Sequence, residues 1–503
     1  MPSPWGRKSS GGRLFCADRS GAKTRWHEVP DEGFPQYIAG APPHIKAQKE
    51  DEMGNLTKKD IFRIVKEEDV AFIRLQFCDI FGTPKNIAIT AGQLESALNN
   101  DCMFDGSAIE GFTGLAGDDF ENLESDMYLY PDLDSFQIYP WRPQSGKVAR
   151  MFCDVYTADR KPFNGDSRSI LKRVLAEAKE MGLTFKADPE LEFFLFDLDD
   201  EGQPTTQTHE NAGYFDLAPA DQGENVRRDI IMNLEELDFN ITSSHHEISP
   251  AQHEIDFTED DAQRMADMIM TFKMTVKTIA KRHGLYATFM PKPKEGVNGS
   301  GMHINILCED EEGNDLFAGK DGKLSTLANQ FIAGVLDHIC GMTLVTNPIV
   351  NSYKRLVPGY DAPVNVSWSA SSTNRSALIR IPSMAGRNAR IELRNPDAAC
   401  NPYLALALIL AAGMDGIKKE MTPPAELKVN LKNKTDEELR KTKLSTLPET
   451  LGEAIEAYKK DKFVKNVLGE AVFNRYLDAK RSEWKNFRTC VTQWEIREYL
   501  NKQ

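Results

Sequence analysis

Four short stretches place ionisable side chains on strands whose neighbours are apolar. In DPELEFFLFD (188–197), Glu190 and Glu192 are two apart and share one strand face, while Leu191, Phe193 and Leu195 take the other. Phe194 and Phe196 continue the glutamate face, so that face is not simply solvent. In SSHHEISPAQHEIDF (243–257), Glu247 and Glu254 flank Pro250 and fall on two strands, or strand ends, joined by a turn. In NGSGMHINIL (298–307), Met302, Ile304 and Ile306 alternate with His303 and Asn305. In ARIELR (389–394), Ala389, Ile391 and Leu393 alternate with Arg390, Glu392 and Arg394. The chain then runs on as NPDAACNPYLALALILAAG, which is too apolar for a surface.

Each stretch alone is ordinary. An exposed glutamate on a strand needs no explanation, and a lone histidine is more often a hydrogen-bonded structural residue than a ligand. Together they put five glutamates and one imidazole on faces with buried neighbours. An unpartnered buried carboxylate costs several kcal/mol. Five of them would exhaust a net stability of about 5–15 kcal/mol. Either the group is solvated in a large open cavity or cations compensate it. Oxygen donors with one imidazole and no thiolate suit magnesium or manganese better than zinc or copper. Two such ions, about +4 against −5, commonly serve phosphoryl transfer. That chemistry also needs fixed cations on phosphate oxygens, and the chain offers Arg355, Arg375, Arg380, Arg390 and Arg394. The Arg-Glu-Arg face is therefore expected to line a pocket. GNDLFAGKD (313–321) is not a phosphate-binding P-loop, having one residue too many between its glycines and Asp321 in place of Ser or Thr. The glycine-rich GVNGSGMH is a weak signal that could equally be a turn.

The elements that must hold these groups follow from the rest of the chain. Of 503 residues, 41% are hydrophobic and 27% charged, as in an ordinary globular protein of two domains or one large one. The net charge of −15 argues against nucleic-acid and anionic-membrane partners. The eight cysteines form no C-x-x-C pair, which fits a reducing compartment and no structural zinc. The longest apolar run, Leu404 to Ala412, is far short of the roughly 20 residues of a membrane span and reads as a buried helix. A cytoplasmic protein with no membrane partner is expected. Residues 1–54 read as a disordered extension, with Met53 a second candidate start codon. Residues 55–157 read as a small domain of short strands, opened by a helix capped by Thr57 and Asp60, and 158–503 as the catalytic domain. Asp166 and Gly182 bracket an amphipathic helix. Residues 423–443 read as an exposed loop and helix, and the C-terminal stretch with Trp484 and Trp494 as surface packing or a subunit contact.

The stretches MFDGSAIEGF, DPELEFFLF, SHHEISPAQHEIDF, MPKPKEGVNGSGMH, NSYKRLVPGYDAP, NRSALIRIP and RIELRNPDAACNPYLA resemble class I glutamine synthetase in order and spacing, over residues 56–500. The resemblance implies an α+β fold: a small N-terminal β-grasp-like domain and a larger catalytic α/β domain with an open, barrel-like antiparallel sheet. It implies a homo-oligomer of two stacked hexameric rings with active sites between subunits. It implies two Mg2+ or Mn2+ ions per site, one on Glu192, Glu247 and Glu254 and one on Glu190, His303 and Glu392, with ATP, glutamate and ammonium as substrates. Asn298, Gly299, Arg355 and Arg394 match positions that hold glutamate or the transferred phosphate. Arg375, Arg380 and Arg390 match phosphate contacts, and His245 a nucleotide contact. Asp105 matches the aspartate reaching in from a neighbouring subunit, and with Asp361 it would take the ammonium proton. ATP would phosphorylate the γ-carboxylate, and ammonia would displace phosphate to give glutamine.

This sequence departs from that pattern near the substrate. Asp361 stands for the flap glutamate, Ala108 for a serine, Leu307 for a serine near the adenine, and Ala251 and Ala398 for Gly and Pro. Thr113 to Leu123 is longer than usual and lacks a feedback arginine, and Ser372-Thr373 reads as an insertion. Lys432 lies where some relatives carry an adenylylated tyrosine, so no control by adenylylation is expected. All six metal positions are kept. Three functions stay in view: glutamine synthetase, a γ-glutamyl ligase for an organic amine such as a polyamine or ethanolamine, and a non-catalytic ring protein. A guanidino kinase, similar in catalytic architecture, is disfavoured by the intact glutamate-site motif.

Overall fold

A computed structural model describes residues 56–502 apart from Ala108, Glu110, 113–125, 143–144, 371–373, 384–387, 432–433, 435 and 443. The expectations for 1–54, Met53, Ala108, 113–123, Ser372-Thr373 and Lys432 lie outside the described residues.

The chain starts with the helix Lys58–Glu67. Thr57 accepts from the Asp60 N–H and the Asp60 side chain answers to Thr57, so the expected capping box is present. The helix buries Ile61 and Val65. Six strands follow: β1 (Val70–Cys78), β2 (Pro84–Thr90), β3 (Cys102–Asp105), β4 (Asp126–Pro131), β5 (Gln137–Ile138) and β6 (Lys147–Tyr156). They form one sheet in the order β2-β1-β6-β4-β3, with β5 on β6. β1 and β6 run parallel, and the other pairs are antiparallel. Ile73, Leu75, Leu129, Met151 and Val155 form a core of their own.

The larger sheet has nine strands. β7 (Thr184–Asp197) is the long central one, followed by β8 (Ile241–His246), β9 (Gln252–Phe257), β10 (Asp260–Asp261), β11 (Leu285–Thr288), β12 (Met302–Glu309), β13 (Asn365–Ser369), β14 (Ala377–Arg380) and β15 (Ile391–Leu393). The order is β13-β14-β15-β12-β7-β9-β8, with β10 and β11 paired to β7. Every pair is antiparallel except β13 with β14. Leu191, Phe193 and Leu195 enter the main core with Phe272, Ile304, Leu393 and Leu404. The helices that cover this face include Ala262–Arg282, Thr326–Thr346 and Pro402–Lys418. The last absorbs the apolar run after ARIELR, started by Asn401 as N-cap and Pro402 in its first turn. The α+β plan expected from sequence is thus the plan observed: a β-grasp sheet and a larger half-barrel sheet backed by helices.

A buried ion cluster joins the two sheets. Arg168, at the start of the helix Ser167–Glu180, meets Asp132 at 2.5 Å, Asp154 at 2.6 Å and Asp267 at 2.9 Å. The Tyr403 hydroxyl also donates to Asp267, at 2.6 Å. Asp166 caps the helix as expected. The C-terminal stretch forms two helices, Glu470–Thr489 and Gln493–Tyr499, the second restarted by a capping box at Thr492 and Glu495. No helix of the described residues is long and apolar enough to cross a membrane.

Candidate active site

Strand register gathers the ionisable residues. Arg380 on β14 faces Glu392 on β15, and Glu392 faces Asn305 on β12. His303, two residues before Asn305, faces Glu190 on β7. Glu192, two residues on, faces Glu254 on β9, which faces His245 on β8. Because strand side chains alternate, this register puts the whole series on the face away from the helices. The face opens into a cavity of about 490 Å³. Beyond Glu192 the same face of β7 dives under protein: Phe194 and Phe196 close a small cluster with Ala251.

Glu190, His303 and Glu392 form one compact donor set, their ligand atoms all within 4.8 Å. His303 Nδ1 lies 3.1 Å from Glu190 Oε2 and 3.8 Å from Glu392 Oε1. Glu392 is 1% exposed, and neither of its carboxylate oxygens has a hydrogen-bond partner among the described residues. Burial, then the charge of Arg394, holds the His303 imidazole well below its ordinary range, leaving a neutral ring. A neutral imidazole and an unsatisfied buried carboxylate fit a divalent cation.

The second set is His245, Glu247 and Glu254. His245 Nε2 lies 3.0 Å from Glu247 Oε1, so the residue expected at the nucleotide stands in this structure beside an expected metal ligand. Glu192, expected with Glu247 and Glu254, is turned aside: its Oε2 accepts from Gln252 Nε2 and from the Gly301 N–H, both at 2.9 Å. Its charge is still felt. Burial and the adjacent Glu247 push the Glu192 carboxyl up to about 7, and burial with Asp256 and Glu192 pushes Glu254 well up. Burial and like charge thus favour the protonated form of both acids, and a cation between them would favour the charged form.

Asp221, His246 and His253 also converge, all buried. Here the protein supplies the cation. Arg227 pairs with Asp221 at 2.7 Å and donates to His253 Nδ1 at 2.9 Å. His246 is committed on both nitrogens, to the Glu247 carbonyl at 2.6 Å and to Glu210 at 3.0 Å.

Arg355, Arg375, Arg380 and Arg394 line the cavity with Asn298, Gly299 and Asp361. Arg380 Nε lies 2.5 Å from Glu392 Oε2. Arg355, 4% exposed, donates to the carbonyls of Asn395 and Arg394 at 2.7 and 3.0 Å, bracing the floor. Gly301 gives it room: a Cβ there would stand 2.4 Å from Arg355 Nη2 and 3.1 Å from His303 Nε2. Two expected residues lie elsewhere. Arg390 precedes β15 and pairs with Asp188 at 2.5 Å instead of lining the cavity. Asp105 ends β3 in the other sheet, and is not among the cavity's lining residues. Sequence reasoning missed Tyr214 and Phe215, which stack at 4.0 Å and line the cavity beside His245. An aromatic pair in a loop has no periodicity to betray it. It also missed Asp256, which accepts from Ser243 at 2.5 Å.

Family models match nearly all of the described chain: the glutamine synthetase β-grasp domain over residues 69–158 and the glutamine synthetase catalytic domain over 164–499. The chain is 54% identical over 452 residues to a glutamine synthetase of Clostridium saccharobutylicum, covering 90% of this chain and 100% of the relative. It is 49% identical over 450 residues to that of Staphylococcus epidermidis, covering 89% and 99%. The solved GmaS/ADP complex in its first conformation is similar in structure, with TM-score 0.78 and 31% identity over 88% of this chain and 99% of the other.

Proposed function

The chain belongs to the glutamine synthetase family, and we propose that the cavity on the large sheet carries out that family's reaction with the side chains assigned below. It is an ATP-dependent ligase that makes glutamine, and it uses divalent metal. The observation that carries the residue assignment is the convergence of Glu190, His303 and Glu392 with two unsatisfied carboxylate oxygens between arginines.

In this reading two Mg2+ or Mn2+ ions bind per site, one on Glu190, His303 and Glu392 and one on Glu247 and Glu254, with Glu192 turning back from Gln252. When bound, the ions supply Lewis-acid charge for the transferring phosphoryl group. Arg375 and Arg380 donate to phosphoryl oxygens, and Arg394, Asn298 and Gly299 hold glutamate, with Arg355 stiffening the floor beneath them. His245 lies on the nucleotide side with Tyr214 and Phe215. The γ-carboxylate takes the phosphoryl group, and the amine attacks the acyl carbon as phosphate leaves. Asp361 on the flap accepts a proton from ammonium. Arg390 acts through Asp188 at one remove from the phosphates.

Asp105 needs a neighbour. Its place in the β-grasp sheet suits a residue offered to the next subunit, in two stacked hexameric rings. Domains divided at 157 and 158, a cytoplasmic location and the absence of nucleic-acid and membrane partners complete the reading. Ammonium is the acceptor we assign, ahead of an organic amine.

Mixed oligomers test the shared site. At a Mg2+ concentration that just saturates wild type, where neither Asp105→Asn nor Glu392→Gln is active alone, equal mixing of the two subunits restores about a quarter of wild-type glutamine formation, because one site in four draws both intact residues. No restoration would show that Asp105 does not act across a subunit boundary.

A further inference from the structure

Lys292 stands on the segment between β11 and β12, behind the cavity wall. One side chain fixes its backbone from both directions. The Lys292 N–H donates to Asn351 Oδ1 at 2.7 Å, and Asn351 Nδ2 donates to the Lys292 carbonyl at 3.0 Å. Asn351 immediately precedes the turn of helix Ser352–Arg355, which carries Arg355. The Lys292 ammonium donates to the Val297 carbonyl, one residue before Asn298. The same ammonium lies 3.7 Å from the centre of the Tyr360 ring.

Tyr360 and Asp361 both line the cavity. Asp361 has φ of 56°, in the left-handed region that aspartate tolerates better than most side chains. Its carbonyl accepts from Arg394 Nη2 at 3.2 Å. Two adjacent flap residues are therefore pinned from different sides, Asp361 by the arginine on the floor and Tyr360 by the lysine in the wall. Partial burial holds the Lys292 ammonium below its ordinary range, as for a cation that has shed part of its water. Such a cation grips an aromatic face more firmly than a hydrated one.

We propose that Lys292 is a positioning residue that latches the flap over the acceptor site. Through the face of Tyr360 it ties the segment carrying Asp361 to the wall carrying Asn298 and Gly299. The inference rests on reading the cavity as a glutamine synthetase site. The activated γ-carboxylate can be attacked by the amine or by water. When water attacks, the acyl C–O bond to phosphate breaks, glutamate is regenerated, phosphate leaves, and the water proton goes to solvent. A closed flap excludes that route and presents Asp361 to the amine. The latch thus acts on which nucleophile arrives.

The experiment compares assembled wild type with Lys292→Met, Lys292→Arg and Tyr360→Leu. ATP consumed per glutamine formed is read at low ammonium, together with the KM values for ammonium, glutamate and ATP. Wild type and Lys292→Arg, which keeps a cation over the ring, use one ATP per glutamine. Lys292→Met and Tyr360→Leu consume several ATP per glutamine, with the ammonium KM raised by about tenfold and the ATP KM little moved. A melting curve in the presence of Mg2+ and ATP confirms that the variants are folded. If folded Lys292→Met stays coupled with an ordinary ammonium KM, or if all its rates fall in proportion, the latch is overturned while the site assignment stands. If wild type itself makes no glutamine, the site assignment falls instead.

Discussion

Glu392 and Arg380 touch without satisfying one another. Arg380 Nε stands 2.5 Å from Glu392 Oε2, yet that Nε and both carboxylate oxygens lack a hydrogen-bond partner among the described residues. Arg394 Nε, 3.7 Å from the other oxygen, is in the same state. The ion pair compensates the charges, but its geometry leaves hydrogen-bonding capacity on all three groups unused, at a cost. A divalent ion removes that cost for the acid, and phosphate oxygens remove it for the arginines. Glu392→Gln keeps the shape and removes the charge. We expect the Mg2+ concentration for half-maximal activity to rise about 100-fold or more, measured by titrating glutamine formation against Mg2+. An unchanged Mg2+ requirement would release Glu392 from the metal.

Acidity should respond to metal in a definite direction. Glu192 and Asp188 are both pushed up to about 7, in each case chiefly by burial. A raised acid holds a proton in the folded chain that the unfolded chain releases. The metal-free protein therefore pays no penalty below about pH 4, loses stability as pH rises toward about 7, and gains none back above it. His246 works the same way: burial lowers it, but the hydrogen bond and charge of Glu210 outweigh burial and raise it. Its link is complete below the unfolded value near 6.5 and is lost as pH rises through the folded one. Melting in chelator should fall between about pH 5 and pH 7, and Mg2+ should restore more at pH 7. A metal-free melting temperature that climbs over that range contradicts the burial of these acids.

Much of this site was legible in the residues, and the reasons are physical. Alternation put Glu190 and Glu192 on one face and Leu191 and Phe193 on the other, and the structure keeps that division. His303 and Glu392 were legible in the same way. Alternation names a face but not a cross-strand partner, because register depends on turns and on the packing of whole sheets. So the fact that Glu192 faces Glu254 but spends an oxygen on Gln252 and Gly301 could not be read. Arg390 shares the parity of Glu392 and Arg394, yet it precedes the three paired residues of β15 and turns to Asp188. Asp105 was reachable only through the family resemblance, since nothing local marks a residue that acts on another chain. The flap aspartate illustrates the reverse gain: its left-handed backbone, invisible in sequence, gives Asp361 a conformational reason to differ from glutamate.

The ion cluster around Arg168 should be the mechanical joint between the two sheets. Arg168 is 3% exposed and meets aspartates from the β-grasp side and from the helix Ala262–Arg282. Removing Arg168 leaves Asp132 and Asp267 without their paired cation, while Asp154 keeps only Lys172, at 2.6 Å. Arg168→Met should cost about 3–5 kcal/mol, read as a shift of the urea midpoint at constant slope. A loss below about 1 kcal/mol would mean that water already screens the cluster.

The glycines of NGSGMH separate by what their added Cβ would strike. At Gly301 it meets the end of the Arg355 side chain, which can move; at Gly299 it meets the Pro291 carbonyl at 2.2 Å, which cannot. Gly301→Ala should fold and lose glutamate affinity, while Gly299→Ala should lose several degrees of melting temperature as well. Equal melting temperatures for the two would show that the Pro291 segment yields.

The most direct measurement counts ions. Protein stripped by chelator and titrated with Mn2+, followed by the free-ion signal, should bind two per chain, and glutamine formation should return in step with the bound ions. Glu392→Gln and Glu254→Gln should each remove one of the two. Full glutamine formation with no ion bound, or a count that neither substitution alters, would contradict the claim that divalent cations are what make this nest of buried acids tolerable.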